Sequence, residues 1–414
     1  MRLLCLFFSE KMKKWLLYDI MKENNAGVER MQKRLQGLVI RKQRQERGWS
    51  QRALCTGICA VSYLSKIEQG KAEGSPEVLS LLFRRLDITW REDPAFCRES
   101  RAWFQEQYDR LFTGESMEDQ REILLRRGNE YRNSPYLLDW LMLTWAITRQ
   151  MPEDPNVYLP VMDAKQHCLY LCLTGQFQQL LRMSDRAYFL LEAGRRAYWK
   201  GNYAYAMDCL RQGADRAGQE GSLPVMMRCR LVLGNCCSNL RQLDQAMEHY
   251  AVASRMARSL GAQEELTAIA YNRATTEFQM GLTEDALRHL LDNPWDDGLY
   301  YRMLALCHER LGHQQEALQT LQRAQDAPLE GLPGYPSNQR EIFDQMCQVI
   351  RIRLEEPDYL RNPAYGNLLR TCIRNQEQYL SAGFAQFQSI WLEQWYAANR
   401  QYRQAYEISK QMKI

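Results

Sequence analysis

No apolar run in the 414 residues approaches the ~20 that a bilayer-spanning helix needs, so no membrane association is expected. The opening MRLLCLFFSEKMKK has only the short apolar stretch LLCLFF, its lysines follow that stretch, and no small-residue cleavage site stands out. A secretory signal is therefore not expected, and the chain is read as cytoplasmic. Period-two alternation is nearly absent beyond residue 95, which argues against a substantial sheet. Neither GxGxxG nor a P-loop occurs, so the chain has no fingerprint for cradling a nucleotide phosphate. Histidine is scarce, at five residues, and His308 and His313 have no obvious carboxylate or nucleophile partner. The residues give an enzyme no support. The thirteen cysteines are odd in number and scattered through helical patterns, as in a reducing compartment where the thiol packs as a small hydrophobe. Cys236-Cys237 and His167-Cys168…Cys172 lack the second short-spaced pair that structural zinc requires, so neither metal nor cofactor is expected.

What is present is concentrated at residues 41–71, RKQRQERGWSQRALCTGICAVSYLSKIEQGK. The stretch scans as three short helices broken near Gly48 and Cys59–Val61. Ser50 is placed to cap the second helix and Ser62 the third, each hydroxyl accepting from an orphan amide of the next turn. Leu54 and Ile58 lie four apart and share an inward face; Leu64 and Ile67 point inward on the third helix. Ser62, Tyr63 and Lys66 are left facing out, a face of the kind that enters the major groove of DNA. Gln51 and Arg52 stand at the start of the second helix, where free amides and the helix dipole favour phosphate. Lys71 follows the third helix and is expected on the DNA backbone.

Charge distribution agrees. Residues 1–90 hold 17 Lys and Arg against nine Asp and Glu, a balance of +8; the whole chain is +4, so residues 91–414 carry −4. A basic head on a mildly acidic body is the footprint of a phosphate-binding module joined to something else. Residues 1–30 are an uncertain extension. They are read as the product of an upstream start codon in preference to a helix lying on the domain, which begins naturally at Met31.

The body repeats itself. Ala206, Ala246, Ala286 and Ala317 are each followed four residues later by Leu210, Tyr250, Leu290 and Leu321, and preceded by twelve residues by Gly194, Gly234, Ala274 and Ala305. Each unit reads as helix, tight turn, helix. Small residues on both helices let the backbones approach, and the larger residue is expected to fill the seam toward the next pair. One pair cannot bury its apolar face alone, so pairs must stack. A weaker unit, with Ala405 in register but Glu393 where a small residue belongs, closes the chain; residues 97–185 and 338–381 read as irregular hairpins. GLPGYPSN at 331–338 is a loop within the array, and the linker between head and body is placed at Asp93–Pro94. The aromatic cluster Trp391, Trp395 and Tyr396 is read as packing at the array's end, with a dimer contact as the alternative.

The repeat pattern resembles tetratricopeptide repeats, best in LVLGNCCSNLRQLDQAMEHYAVA. The segment GWSQRAL…VSYLSKIEQGK resembles the XRE-type helix-turn-helix of phage and bacterial repressors over about 60 residues. Within that family the turn is one residue shorter than the common pattern, which is similar to the PlcR-like members of the RRNPP group. The implied fold is all-α: an N-terminal helix-turn-helix domain over residues 31–93 followed by a tetratricopeptide-like α-solenoid over 97–414. The resemblance implies that Gln51 meets phosphate or a base edge, and that Glu68, after the recognition helix, pairs with Arg41 or Arg44. It implies a cytosolic dimer that binds an inverted-repeat operator in double-stranded DNA. It further implies a short signalling peptide on the concave face of the repeats, its backbone held by Asn side chains, which both donate and accept. Asn272, Asn235 and Asn239 occupy fitting positions, and Arg195 stands at the place of Asn235 in the preceding unit, suited to a carboxylate. The resulting expectation is a peptide-sensing transcription regulator. The alternative is an array that docks a protein partner, with DNA binding only locating it.

Overall fold

The computed structural model describes residues 34–151, 153–329 and 338–412. The extension at 1–30, the start proposed at Met31, and the loop at 331–337 lie outside these. Among the described residues there is no strand. None of their helices is long and apolar enough to cross a membrane. The chain forms two compact units, Met1–Met183 and Ser184–Ile414.

The first unit begins with α1 (34–46), α2 (Gln51–Cys55), α3 (Val61–Glu68) and α4 (Pro76–Arg85). Leu35, Val39, Ile40, Leu54, Leu64, Ile67, Leu82 and Leu86 form their shared core, each nearly inaccessible to solvent. Gly48 ends the first segment with φ +66°, a conformation that costs glycine nothing. Gly37 has a different reason: a Cβ there would lie 2.2 Å from the Ile67 carbonyl oxygen, so only glycine lets α1 press against the end of α3. Next come α5 (Pro94–Thr113), α6 (Glu118–Arg126), α7 (Gly128–Arg132), α8 (Leu137–Thr148), a 3-10 turn (Pro155–Val161), α9 (Ala164–Leu173) and α10 (Phe177–Met183). Phe96, Phe104, Tyr131 and Tyr136 interlock here, with Phe104 edge-on to Tyr131 at 4.8 Å between centroids.

The structure refines the sequence expectations for this unit. At the expected linker, Asp93 caps α5, accepting from the Phe96 amide at 2.9 Å; the two compact units divide later, between Met183 and Ser184. The small head is fastened to the helices that follow it, with Gln36 Nε2 donating to Glu92 at 3.0 Å and Arg91 N to the Asn133 carbonyl at 2.8 Å. Ser62 does not cap α3. That helix starts two residues earlier, behind Ala60, so Ser62 lies inside its first turn; Ser50 does cap α2, accepting from Ala53 at 3.1 Å. Because α2 ends at Cys55, Ile58 falls in the turn and is only half-buried.

The second unit stacks antiparallel pairs: α11 (Ala187–Trp199) with α12 (Tyr203–Glu220), α13 (Leu223–Asn239) with α14 (Leu243–Leu260), α15 (Gln263–Gln279) with α16 (Thr283–Asp292), and α17 (Gly298–Arg310) with α18 (Gln314–Asp326). Then follow α19 (Gln339–Glu355), α20 (Pro363–Tyr379), α21 (Ala382–Ala398) and α22 (Tyr402–Met412). The four register alanines are all fully buried. The turn inside each of these four pairs holds one left-handed residue, Gly201, Arg241, Gly281 and Gly312, repeating the 40, 40 and 31-residue spacing of the alanines. Two of the large residues cover the small residue of their own pair. Leu210 sits on Gly194 and Tyr250 on Gly234 within the same pair, where an added Cβ would meet them at 2.6 and 2.5 Å. Trp391 and Trp395 are buried, Trp395 over Gly366 with its indole donating to the Asn362 carbonyl at 3.1 Å; they pack the array's end.

Candidate functional site

The head is organised around Glu68, the last residue of α3 rather than a residue beyond it. Its carboxylate is 1% exposed and receives three hydrogen bonds: Arg44 Nε at 2.6 Å, Arg44 Nη2 at 2.9 Å and Gln51 Nε2 at 2.8 Å. Arg44 is therefore the partner, not Arg41, and the forked contact raises its already high pKa by favouring the charged form. The same guanidinium holds the Trp49 carbonyl through Nη1 at 2.7 Å. This knot joins α1, the start of α2 and the end of α3. Gln51 spends one amide hydrogen on it and keeps the other and its carbonyl oxygen. Tyr63 is likewise committed. Its hydroxyl donates to the Glu73 carbonyl at 2.9 Å and accepts from the Ser75 amide at 3.2 Å, bracing the loop before α4. Ser62, Arg52, Lys66 and Lys71 are exposed. Among the described residues the three cations have no ion-pair partner, so their charge faces solvent.

In the second unit Asn235, Asn239 and Asn272 line one groove, with Tyr198, Tyr271, Thr275, Gln279, Arg302 and, from the far side, Ser381, Gly383, Phe384 and Phe387. Its free volume is about 90 Å³. The first helices of the pairs form one wall and the beginning of α21 the other. Asn235 Oδ1 accepts from the Tyr250 hydroxyl at 2.9 Å, Asn239 Nδ2 donates to the Tyr198 hydroxyl at 3.3 Å, and Asn272 makes no side-chain hydrogen bond among the described residues. Burial drives the Tyr198 phenol up to about 12, so it stays protonated and can donate onward. Gly383 presses on Asn239, where a Cβ would come within 2.9 Å of the carboxamide. Arg195 is not in the groove. It is exposed and ion-paired with Glu192 at 2.8 Å.

Residues 40–92 match the helix-turn-helix family. Among curated proteins none matches the sequence. Among solved structures, a Rap protein complexed with Competence and Sporulation Factor is similar at 13% identity and TM-score 0.57, over 76% of this chain and 96% of that one. The chain carries an XRE-type helix-turn-helix domain and a tetratricopeptide-like helical array. Two further structures align too loosely to carry an argument. The Rap conjugation gene regulator of plasmid pLS20 in complex with the Phr* peptide has 12% identity and TM-score 0.48, over 92% of this chain and 96% of that one. Bacillus thuringiensis PlcR in complex with the peptide PapR7 and DNA has 14% identity and TM-score 0.28, over 78% and 99%.

The helix-turn-helix domain thus places Ser62, Lys66 and Arg52 outward as the sequence suggests, and turns Gln51 and Tyr63 partly inward. The array brings three of the four candidate ligand-holding residues together. Sequence reasoning missed Arg302 on α17, which is 3% exposed and lines the same groove. A signal was available. Arg302 stands three residues before the small Ala305, where the other units carry Leu191, Leu231 and Tyr271. A lone charge in an otherwise apolar register position marks a site.

Proposed function

We propose that the protein is a cytoplasmic transcription regulator. Its helix-turn-helix domain binds an inverted-repeat operator as a homodimer, and its array senses a short peptide. The observation that carries the peptide reading is the convergence of Asn235, Asn239 and Asn272 on one groove walled by Tyr198 and Phe387. Carboxamides complement the amides and carbonyls of an extended backbone, and flanking aromatics complement apolar side chains. The likeness in fold to a Rap protein whose structure holds Competence and Sporulation Factor supports the same reading.

The groove as it stands admits a side chain rather than several residues, because the start of α21 fills it. A peptide backbone laid on the asparagines displaces Gly383 and Phe384, so binding is coupled to the position of the C-terminal hairpin. A change of this kind alters how two DNA-binding heads are presented to half-sites roughly 34 Å apart. On the DNA side, Arg52, Lys66 and Lys71 supply backbone contacts, while Ser62 and the free groups of Gln51 supply base contacts.

The test is selection of bound duplexes from a random pool by the full-length protein, at low salt. Inverted repeats are expected. Unchanged recovery by Arg52→Ala/Lys66→Glu sinks the assigned face. Recovery unaltered by an excess of random heptapeptides, with no peptide retained, favours instead an array that docks a protein partner.

A further inference from the structure

Arg302 is the least satisfied charge in the second unit. It lies on the inner face of α17, 3% exposed, and its Nε and Nη2 are buried with no hydrogen-bond partner among the described residues. Its guanidinium lies 5.8 Å from the centroid of Phe387, and the pair faces the same cavity as the three asparagines. A buried lysine or histidine in such a position can escape by losing its proton; arginine cannot. Desolvating a permanent cation without a counter-charge is among the least favourable arrangements a fold can hold. Water in the cavity restores hydrogen bonds but not the charge. The nearest carboxylate on its own helix, Asp297, is the N-cap, accepting from the Leu299 amide at 2.8 Å. The half-buried Arg353, by contrast, meets Glu309 at 2.7 Å.

We propose that Arg302 is the receptor for one carboxylate of the ligand, bound through the fork of Nε and Nη2. The inference takes the location of the ligand from the peptide reading above, and its chemistry from the arginine alone. The cavity of about 90 Å³ is room for roughly three waters, which suits a carboxylate on a short stem. Ser381 lines the same space, where its hydroxyl can donate to an outer lone pair of such a group; the Thr275 hydroxyl, also in the lining, already donates to the Tyr271 carbonyl at 3.0 Å. The carboxylate comes either from an Asp or Glu side chain or from the peptide's C-terminus.

The first measurement follows the side-chain N–H signals of 15N-arginine in the full chain during titration with sodium butanoate, with butanamide as its neutral counterpart, at constant ionic strength. The Arg302 signal is the one lost in Arg302→Lys; if that variant does not fold, Phe387→Leu marks it through the lost ring current. A saturable shift of this signal with butanoate and none with butanamide is expected. No shift, or equal shifts, overturns the proposal. The second measurement is retention of random heptapeptides by the protein, read by mass spectrometry. It compares a pool with free C-termini, the same pool amidated, a pool without Asp and Glu, and a pool lacking both kinds of carboxylate. Loss of retention on amidation assigns the C-terminus, loss in the acid-free pool assigns a side chain, and equal retention of the pool with no carboxylate overturns the proposal. Peptides retained without carboxylate preference leave the groove reading standing and remove the arginine's role; a butanoate shift with no peptide retained from any pool does the reverse.

Discussion

Replacing Gly234 by Ala tests how the array is built and how its packing reaches the groove. An added Cβ would lie 2.5 Å from Cε1 and 2.7 Å from Cδ1 of Tyr250. Carbon atoms settle at about 3.5–4.0 Å, so the ring must withdraw by about 1 Å. It has little room to do so: Tyr250 is 1% exposed, and its hydroxyl is tied to Asn235 at 2.9 Å. Overpacking of this kind costs about 1–3 kcal/mol. Alanine's advantage over glycine in a helix interior offsets about 0.5–1 kcal/mol of that. The expected net loss is about 1–2 kcal/mol in urea denaturation. Tyr250→Ala is itself expensive, about 3–5 kcal/mol by analogy with other large aromatics, but it opens the space. In that background Gly234→Ala should stabilise by about 0.5–1 kcal/mol, a reversal of sign that reports the contact itself. Gly218→Ala is the control, since its Cβ would meet only the flexible end of Met226 at 3.1 Å. The groove provides a second readout, because withdrawal of Tyr250 frees the Asn235 carboxamide and moves its NMR signal. Gly234→Ala that is neutral in the native background, or costs the same with and without Tyr250, refutes the close-packing argument.

The other predictions concern the first unit. Glu68→Gln removes a carboxylate that receives three hydrogen bonds and strands Arg44, whose side chain is 11% exposed; a loss of roughly 3 kcal/mol is expected in urea denaturation, and a change below about 1 kcal/mol would show the knot to be incidental. Arg52→Ala and Lys66→Ala should each lower the slope of log affinity for DNA against log salt by ~0.9, across sequences, as expected when one phosphate contact is lost; an unchanged slope removes that residue from the interface. Asp139 has its carboxyl pushed up to about 6, chiefly by burial and against the pull of Lys165. The folded state thus holds this proton more tightly than the unfolded chain, whose value is 3.8, so its contribution is fully present below 3.8 and declines as pH rises toward 6. Asp139→Asn should flatten that part of the stability profile; a profile that declines as before acquits the residue.

Much of this architecture is legible because it depends on local signals. Gly48 and Ser50 punctuate the head, and Leu54, Leu64 and Ile67 mark its core by spacing alone. In the array, small residues at fixed separation record where two backbones touch. What the sequence could not say was which neighbour each large residue would cover, since Leu210 and Tyr250 have the reach for either pair. The expected linker at Asp93–Pro94 shows a related ambiguity. Pro94 and the acidic residues around it look like a connector, but Asp93–Pro94 is also a strong way to begin a helix, and only the contacts of Gln36 and Arg91 show that the head stays attached.

The groove was harder to read because it runs obliquely across the helices. On α11 it takes Tyr198, four residues after the small Gly194; on α13, Asn235, Ser238 and Asn239, one to five residues after Gly234. On α15 it spans both sides of Ala274, from Tyr271 to Gln279, and on α17 it takes Arg302 and Met303, three and two residues before Ala305. Equivalent positions in successive units therefore do not all face the groove. Arg195 matches Asn235 in register yet lies off the diagonal, where it pairs with Glu192. Arg302 matches no asparagine and lies on it. A sequence comparison between repeats finds what packs identically, because packing repeats with the unit. The groove follows the tilt of the stack, so its lining residues shift along each helix, and only the three-dimensional structure reveals the shift.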